Sequence, residues 1–146
     1  MTNIFVPFVS AFFASMGFAL LYNVRKRHLV IASLCGAFAW MFYLITDMFT
    51  NSLVIPYFVS GISIALYSEL AATIFKSPAT VFLIPGIIPL VPGLTIYRTM
   101  EACLYGDIQG FAEGLVNTLK IGGAISLGLI LISSFFKILR TRIYKK

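Results

Sequence analysis

Residues Pro85–Gly93 read PGIIPLVPG, which places three prolines and two glycines inside a segment that is otherwise apolar enough to cross a bilayer. Each proline removes a backbone N–H and clashes with the preceding turn, and each glycine loosens the backbone further. A helix therefore cannot run unbroken through this stretch. In hydrocarbon, a broken backbone is tolerated only where protein buries it or where it lines a watery cavity. Discontinuous helices of this kind commonly form substrate sites in transporters, so the motif predicts a membrane transport protein.

The composition of the chain is typical of a membrane protein. Its 146 residues are 60% hydrophobic and 11% charged, and the mean hydropathy is +0.97, whereas a soluble domain would carry more charge. The net charge of +6 would suit nucleic acid, but the basic residues form short clusters between apolar runs. Such clusters are typical of membrane topology signals, so we expect no nucleic-acid partner.

Five stretches have the length, about 20 residues, and the apolar character that a membrane-spanning helix needs. They are Ile4–Tyr22, Leu29–Phe49, Leu53–Phe75, Ala79–Tyr97 and Gly114–Phe136. The sequence therefore predicts an all-α integral membrane protein in which residues 1–146 form one domain and the fourth of five transmembrane helices is broken by the proline and glycine motif. The connection 98–113 has mixed polarity and is predicted to form a short helix at the membrane interface.

The basic residues orient the predicted bundle. If the five segments alternate in direction, nine of the 11 Lys and Arg residues fall on one side of the membrane. They are Arg25, Lys26, Arg27, Lys76, Lys137, Arg140, Arg142, Lys145 and Lys146. Cytoplasmic loops of membrane proteins are enriched in Lys and Arg. The N-terminus is therefore predicted to lie outside and the C-terminus in the cytoplasm.

Small residues recur at four-residue spacing on one face of the first segment and one face of the fifth. The first set is Ala11, Ser15 and Ala19, and the second is Gly114, Thr118, Gly122 and Ser126. Small side chains allow membrane helices to approach closely. Both stripes are therefore predicted to be helix-packing faces.

Glu69 is the acid that lies deepest in an apolar segment. It comes seven residues before Lys76, which places it about 10 Å inside the membrane boundary at 1.5 Å per residue. Intramembrane acids usually face a partner or a watery cavity. Glu69 is therefore either a proton carrier that couples transport to a proton gradient or a structural hydrogen-bonding group.

Polar residues also follow the broken segment. Arg98 is placed either to pair with Glu101 one helical turn away or to attract an anionic group of a substrate. Tyr97 and Asn117 are polar enough to line a path, whereas the long stem of Lys120 favours snorkelling to the interface. The predicted substrate-binding set comprises the break and these neighbours: Pro85, Gly86, Pro89, Pro92, Gly93, Tyr97, Arg98 and Asn117.

Enzyme signatures are absent from the sequence. It contains no phosphate-binding glycine loop followed by Lys, no paired metal-binding histidines and no nucleophile with a matching base. Cys35 and Cys103 have neither a disulfide framework nor a metal-ligand spacing. The sequence therefore predicts a protein that is not an enzyme and that carries no cofactor or metal.

Two stretches resemble a known family. Residues 77–115, SPATVFLIPGIIPLVPGLTIYRTMEACLYGDIQGFAEGL, and residues 17–40, GFALLYNVRKRHLVIASLCGAFAW, are similar to the small component of threonine/serine exporters. The resemblance implies an exporter built from two unequal parts, of which the larger has its own membrane domain and a similar motif. It also implies an acid at Glu69 and a tyrosine at Tyr97 as functional positions. A related pair is linked to succinate export, so the resemblance leaves the substrate open.

These features together predict a subunit of a proton-coupled secondary exporter that moves threonine and serine out of the cell. The alternatives are a subunit that exports succinate-like dicarboxylates, a scaffold that stabilises a larger membrane partner without transporting, and a passive channel. The expected partners are the larger exporter subunit and the lipid bilayer, and self-association into a homo-oligomer stays open. The expected location is the cell membrane, as a multi-pass protein of a bacterial inner membrane.

Overall fold

The structure is a computed structural model that describes residues 5–143, with side chains described as far as Leu139. Within this range the fold is entirely helical, and its helices are α1 Phe5–Leu21, α2 Lys26–Phe49, α3 Ile55–Phe75, α4 Thr80–Ile87, α5 Gly93–Leu104 and α6 Ile108–Ile143. A 3₁₀ turn, Ile88–Leu90, separates α4 from α5. Ile4 of the first predicted segment, Lys145 and Lys146 of the basic tail, and the side chains of Arg140 and Arg142 lie outside what is described.

Three helices of the described chain, α2, α3 and α6, are long and apolar enough to cross a membrane. The pair formed by α4 and α5 meets the same test when its two halves are taken together, although they are bent by 50°. The remaining helix, α1, is apolar but has 17 residues. The all-helical class predicted from the sequence is confirmed, with up to four spans by length and composition.

The helix bounds differ from the predicted segments around residue 105. No separate interfacial helix spans 98–113, because α5 continues to Leu104 and α6 already begins at Ile108. Gly106 adopts a left-handed φ of 73°, and the Asp107 carboxylate accepts a 2.9 Å hydrogen bond from the backbone N–H of Gly110. A glycine after a helix and an aspartate that caps the next one are ordinary termination and start signals. The helix predicted to begin at Gly114 is α6, and it begins six residues earlier than predicted, at Ile108.

The centre of the bundle is α2, which packs against α1, α3 and α4. The predicted stripe on α1 is confirmed, since Ala11, Ser15 and Ala19 are the buried residues of that helix. On the facing helix, a methyl group added at Gly36 would lie 3.0 Å from the Ser15 Cβ. Small residues on both helices thus allow the close approach that packing within a membrane requires.

The predicted stripe on α6 is wrong for its C-terminal members, Gly122 and Ser126. Ser126 is exposed, and a methyl group at Gly122 would meet nothing within 4 Å. The buried face of the helix is instead formed by Ile121, Ala124, Ile125 and Gly128. This face packs on α3, where a methyl group at Gly128 would lie 2.7 Å from the carbonyl oxygen of Phe58. The two backbones therefore touch.

The broken segment reaches the middle of the core. One apolar cluster contains Cys35, Ala39, Ile64, Leu90, Ile121 and Ile125. These residues come from α2, α3, the 3₁₀ turn and α6, and the turn itself packs against α1 and α2. Buried Leu90 therefore anchors the turn within the bundle.

Candidate functional site

The break between α4 and α5 is a local change of backbone geometry. After Ile87 the chain tightens into the 3₁₀ turn, and the Val91 N–H donates to the Ile88 carbonyl at 3.2 Å. The Gly93 N–H then donates to the Val91 carbonyl at 2.7 Å before α5 begins. Pro89 and Pro92 have no N–H to continue an α-helical ladder, so the sequence itself imposes this geometry.

The first half of the break is buried in protein. Pro85, Gly86 and Leu90 are all buried. A methyl group at Gly86 would lie 2.6 Å from the Cys35 Sγ and 3.6 Å from the Ile64 Cγ2. Only glycine leaves room for α4 to approach α2 and α3 so closely. The interrupted backbone is thus sheltered where hydrocarbon would otherwise meet it.

The second half of the break turns to the surface of this chain. Val91 is 47% exposed and Leu94 is 64% exposed, and a methyl group at Gly93 would meet nothing within 4 Å. Beyond this point α5 packs mainly on α6, its partner in a helical hairpin. The break therefore joins a buried part of the fold to an exposed one.

A cavity of about 410 Å³ lies at the base of that hairpin, and we call it the hairpin cavity. Its polar lining comes from Thr95, Arg98, Glu113 and Asn117. The Thr99 hydroxyl, also in the lining, is occupied by a 2.7 Å hydrogen bond to the Thr95 carbonyl. A cation, an acid and an amide therefore share one cavity that also touches the start of α5.

The structure brings together only part of the predicted substrate set. Arg98 and Asn117 meet in the hairpin cavity. Tyr97 lines a different cavity of about 330 Å³, together with Glu101. Pro89 borders another, against α1 and Trp40. The predicted residues are therefore distributed over several surfaces along the break.

Glu69, the predicted proton carrier, is half-buried on α3. Its backbone carbonyl accepts a 2.9 Å hydrogen bond from the Thr73 hydroxyl. Glu69 is not among the residues that line the hairpin cavity. Glu69 therefore lies apart from the cavity in which Arg98 and Asn117 meet.

A second cavity, of about 490 Å³, lies where the α1–α2 and α3–α4 connections meet, and we call it the basic cavity. Its charged and hydroxyl-bearing lining includes Arg25, His28, Lys76, Ser77 and Thr80. No acidic residue is among the described residues that line it. The sequence indicated the basic residues only as topology signals, because nothing in a linear pattern places residue 28 beside residue 77.

His28 is a buried polar group in the wall of the basic cavity. Only 7% of it is exposed, and its ring packs edge-on against Phe75 and Phe82, with centroids 5.7 Å away in both cases. Its Nε2 lies 3.3 Å from the Ser77 Oγ. Its Nδ1 is buried with no hydrogen-bond partner within the described part of the chain.

Pro85 lies on the segment that connects the basic cavity with the hairpin cavity. It lies inside α4, and together with Ile84 it forms part of the wall of the basic cavity. The same helix leads into the 3₁₀ turn and then to Leu94 at the hairpin cavity. The broken segment therefore runs from one cavity to the other.

Comparison with known proteins gives one family. A family model described as "Threonine/Serine exporter, ThrE" matches residues 7–135, which include the broken segment and both cavities. No curated protein and no solved structure gives a significant match to the chain. Among the described residues, no group of three or more His, Cys, Asp or Glu side chains is placed to hold a metal ion.

Proposed function

The chain belongs to the threonine/serine exporter family, and from that membership we propose that it is the smaller subunit of a two-component secondary exporter for threonine and serine. It works as a transporter and catalyses no reaction. In this proposal α1, α2, α3, the α4–α5 pair and α6 make five crossings of the cell membrane, a bacterial inner membrane. The N-terminus is outside and the C-terminus is cytoplasmic, as the positions of the basic residues favour.

The observation that carries the proposal is the burial of the break. Pro85, Gly86 and Leu90 are enclosed by neighbouring helices, although a purely structural membrane helix would gain nothing from being interrupted. Interrupted helices expose main-chain donors and acceptors that polar solutes bind. A cavity at each end of the segment supports a path along it.

The hairpin cavity is the proposed site for the amino acid near the outer face. Arg98 would bind the carboxylate, Glu113 the ammonium group, and the Asn117 amide either of them. Opposite charges in one small space suit a zwitterion better than a dicarboxylate, because Glu113 would repel a second carboxylate. Freed backbone groups between Pro89 and Gly93, with Tyr97 beside them, would continue the path.

The exposed half of the break supports a partner. Irregular backbone is not stable against lipid, yet Val91, which lies between the 3₁₀ turn and α5, is exposed on this chain. A larger subunit that covers α5 would complete the enclosure. Its own broken helix, in the opposite orientation, would supply the other wall, as in transporters built from inverted halves.

Transport by purified complex is the direct test. The chain and its larger subunit, reconstituted in liposomes, should move labelled threonine when a proton gradient is imposed. Unlabelled serine should compete, and succinate should not. Competition by succinate alone would favour the dicarboxylate alternative, and non-saturating flux would indicate a channel. Absence of movement of all three solutes would reject the exporter.

Arg98 can be tested within the same assay. We expect Arg98→Gln to raise KM for threonine about tenfold or more, since a lost charge-assisted hydrogen bond costs about 1.5–3 kcal/mol. Glu101→Gln is the matched control, because Glu101 is on the same helix but lines a different cavity. Equal effects of the two substitutions would contradict the assignment of Arg98 to the substrate.

Glu69 is proposed to carry the coupling proton. Glu69→Gln keeps the shape and hydrogen-bonding capacity of the side chain but removes its titration. We expect the variant to exchange threonine across the membrane yet to lose accumulation driven by a pH gradient. Unchanged gradient-driven transport would remove Glu69 from the coupling mechanism and leave it a structural role.

A further inference from the structure

We propose that the basic cavity binds the carboxylate of the amino acid before it reaches the break, with Arg25 and Lys76 attracting the anion and His28 and Ser77 holding it. The inference rests on the proposed function, and it adds a site at the cytoplasmic end of the proposed path. The cavity volume of about 490 Å³ falls within the range of about 300–1,000 Å³ that is usual for small-molecule sites.

The charge of the cavity selects for an anion. Arg25 and Lys76 approach it from two different connections, and no acid lies among the described lining residues. Arginine presents a planar set of donors that matches a carboxylate, and lysine adds a compact charge. The cavity also adjoins the first turns of α2 and α4, where helix dipoles favour negative charge.

The buried histidine supplies the second, independent observation. His28 is 7% exposed, and its Nδ1 has no hydrogen-bond partner among the described residues. A buried polar atom left unpaired costs about 1–3 kcal/mol, so such atoms in native folds call for an explanation. The Nδ1 itself has almost no accessible surface, so a small turn of the ring would bring it to a ligand in the cavity, while Ser77 engages the other ring nitrogen at 3.3 Å.

The depth of the polar groups favours a small carboxylate over the phosphate of a lipid. Exposed Arg25 and Lys76 at a membrane boundary would by themselves suit an anionic headgroup. However, the cavity continues inward to buried His28 and to Pro85 on α4. A free solute held there touches α4, the helix that leads into the break. A lipid headgroup is held at the membrane surface by its acyl chains and would not need a cavity that extends to α4.

The test compares substrates with and without the carboxylate. Complex in liposomes of neutral lipid is assayed with threonine and with threoninol, in which a hydroxymethyl group replaces the carboxylate. Arg25→Gln and Lys76→Gln should each raise KM for threonine at the cytoplasmic face by about tenfold and should leave any transport of threoninol unchanged. Arg27→Gln is the matched control, because Arg27 lies two residues further on, in the first turn of α2, and outside the cavity lining.

Three outcomes would overturn the inference. One is an equal KM for threonine in Arg25→Gln and in Arg27→Gln while the unmodified complex transports normally; this leaves the proposed function intact. Another is an effect of Arg25→Gln that appears only when anionic lipid is added, which would identify a headgroup site. If the unmodified complex moves no threonine, the proposed function itself fails and the inference fails with it. Elution as a single complex checks that every variant is folded.

Discussion

Gly86 is the residue at which the broken segment comes closest to α2. A methyl group there would lie 2.6 Å from the Cys35 Sγ and 3.2 Å from the Cys35 Cβ. We expect Gly86→Ala to destabilise the chain by about 1–3 kcal/mol, which is the usual cost of overpacking a core. Thermal unfolding in detergent, followed by loss of helical circular dichroism, measures this change.

The neighbouring cysteine provides the control for that prediction. Cys35→Ala removes the Sγ and makes room, so the double variant should recover much of the stability that Gly86→Ala loses. Gly93→Ala should be tolerated, since a methyl group there meets nothing within 4 Å. Additive losses in the double variant would show that Cys35 and Gly86 do not contact each other.

At the scale of helices, α3 and α6 touch through backbone atoms. A methyl group at Gly128 would lie 2.7 Å from the Phe58 carbonyl oxygen and 2.8 Å from the Ile62 backbone nitrogen. Backbone atoms cannot rotate away as a side chain can, so Gly128→Ala should force the helices apart. We expect a lower unfolding temperature and weaker assembly with the larger subunit.

Gly123→Ala is the matched control on the same helix, because a methyl group at Gly123 meets nothing within 4 Å. Alanine favours helix over glycine by about 0.5–1 kcal/mol. The control should therefore be as stable as the unmodified chain or slightly more so. A loss of stability at Gly123 equal to that at Gly128 would mean that helix packing is not the cause.

The sequence predicted the helices better than it predicted their faces and ends. On α1 the small residues coincide with the buried side, since that helix packs mainly on α2. On α6 the same spacing misleads at Ser126, because the helix has two neighbours and spacing alone does not say which side each one takes. The early start of α6 was hidden because Asp107 caps a first turn that precedes the apolar run.

The candidate sites were predictable to a smaller extent. The proline and glycine spacing identified the broken segment, because these residues change backbone geometry wherever they occur. Arg98 and Asn117 were each predicted to bind substrate, but the sequence did not show that they lie in one cavity, because this depends on the turn between α5 and α6. The basic cavity could not be predicted, since His28 and Ser77 come together only after α2, α3 and α4 have packed.

At the scale of the whole molecule, labelling of cysteines can test the proposed orientation in the membrane. Cys103 is exposed and Cys35 is buried, and Cys103 lies near the end of α5. In vesicles that contain this chain without the larger subunit, a maleimide that cannot cross membranes should label Cys103 from the outer side when the orientation of the vesicles is known. The label should be absent from a Cys103→Ser variant.

A second thiol on the opposite side completes the topology test. Arg27→Cys in the Cys103→Ser background should react only after the vesicles are made permeable, because Arg27 lies in the first turn of α2, beside the α1–α2 connection that is proposed to be cytoplasmic. Labelling of this position in sealed vesicles, together with protection of Cys103, would reverse the orientation. The basic cavity would then open outward and could not receive a cytoplasmic solute.

The unequal lengths of the first and last helices have a consequence for the host membrane. The 17 described residues of α1 span about 25 Å and the 36 described residues of α6 about 54 Å at 1.5 Å per residue, on either side of a hydrocarbon thickness of about 30 Å. In the proposed arrangement of five crossings, lipids beside the short helix would compress, while the long one would tilt or protrude. The length of the acyl chains would therefore affect the free energy of the inserted protein, because a thicker bilayer is harder to compress around the short helix.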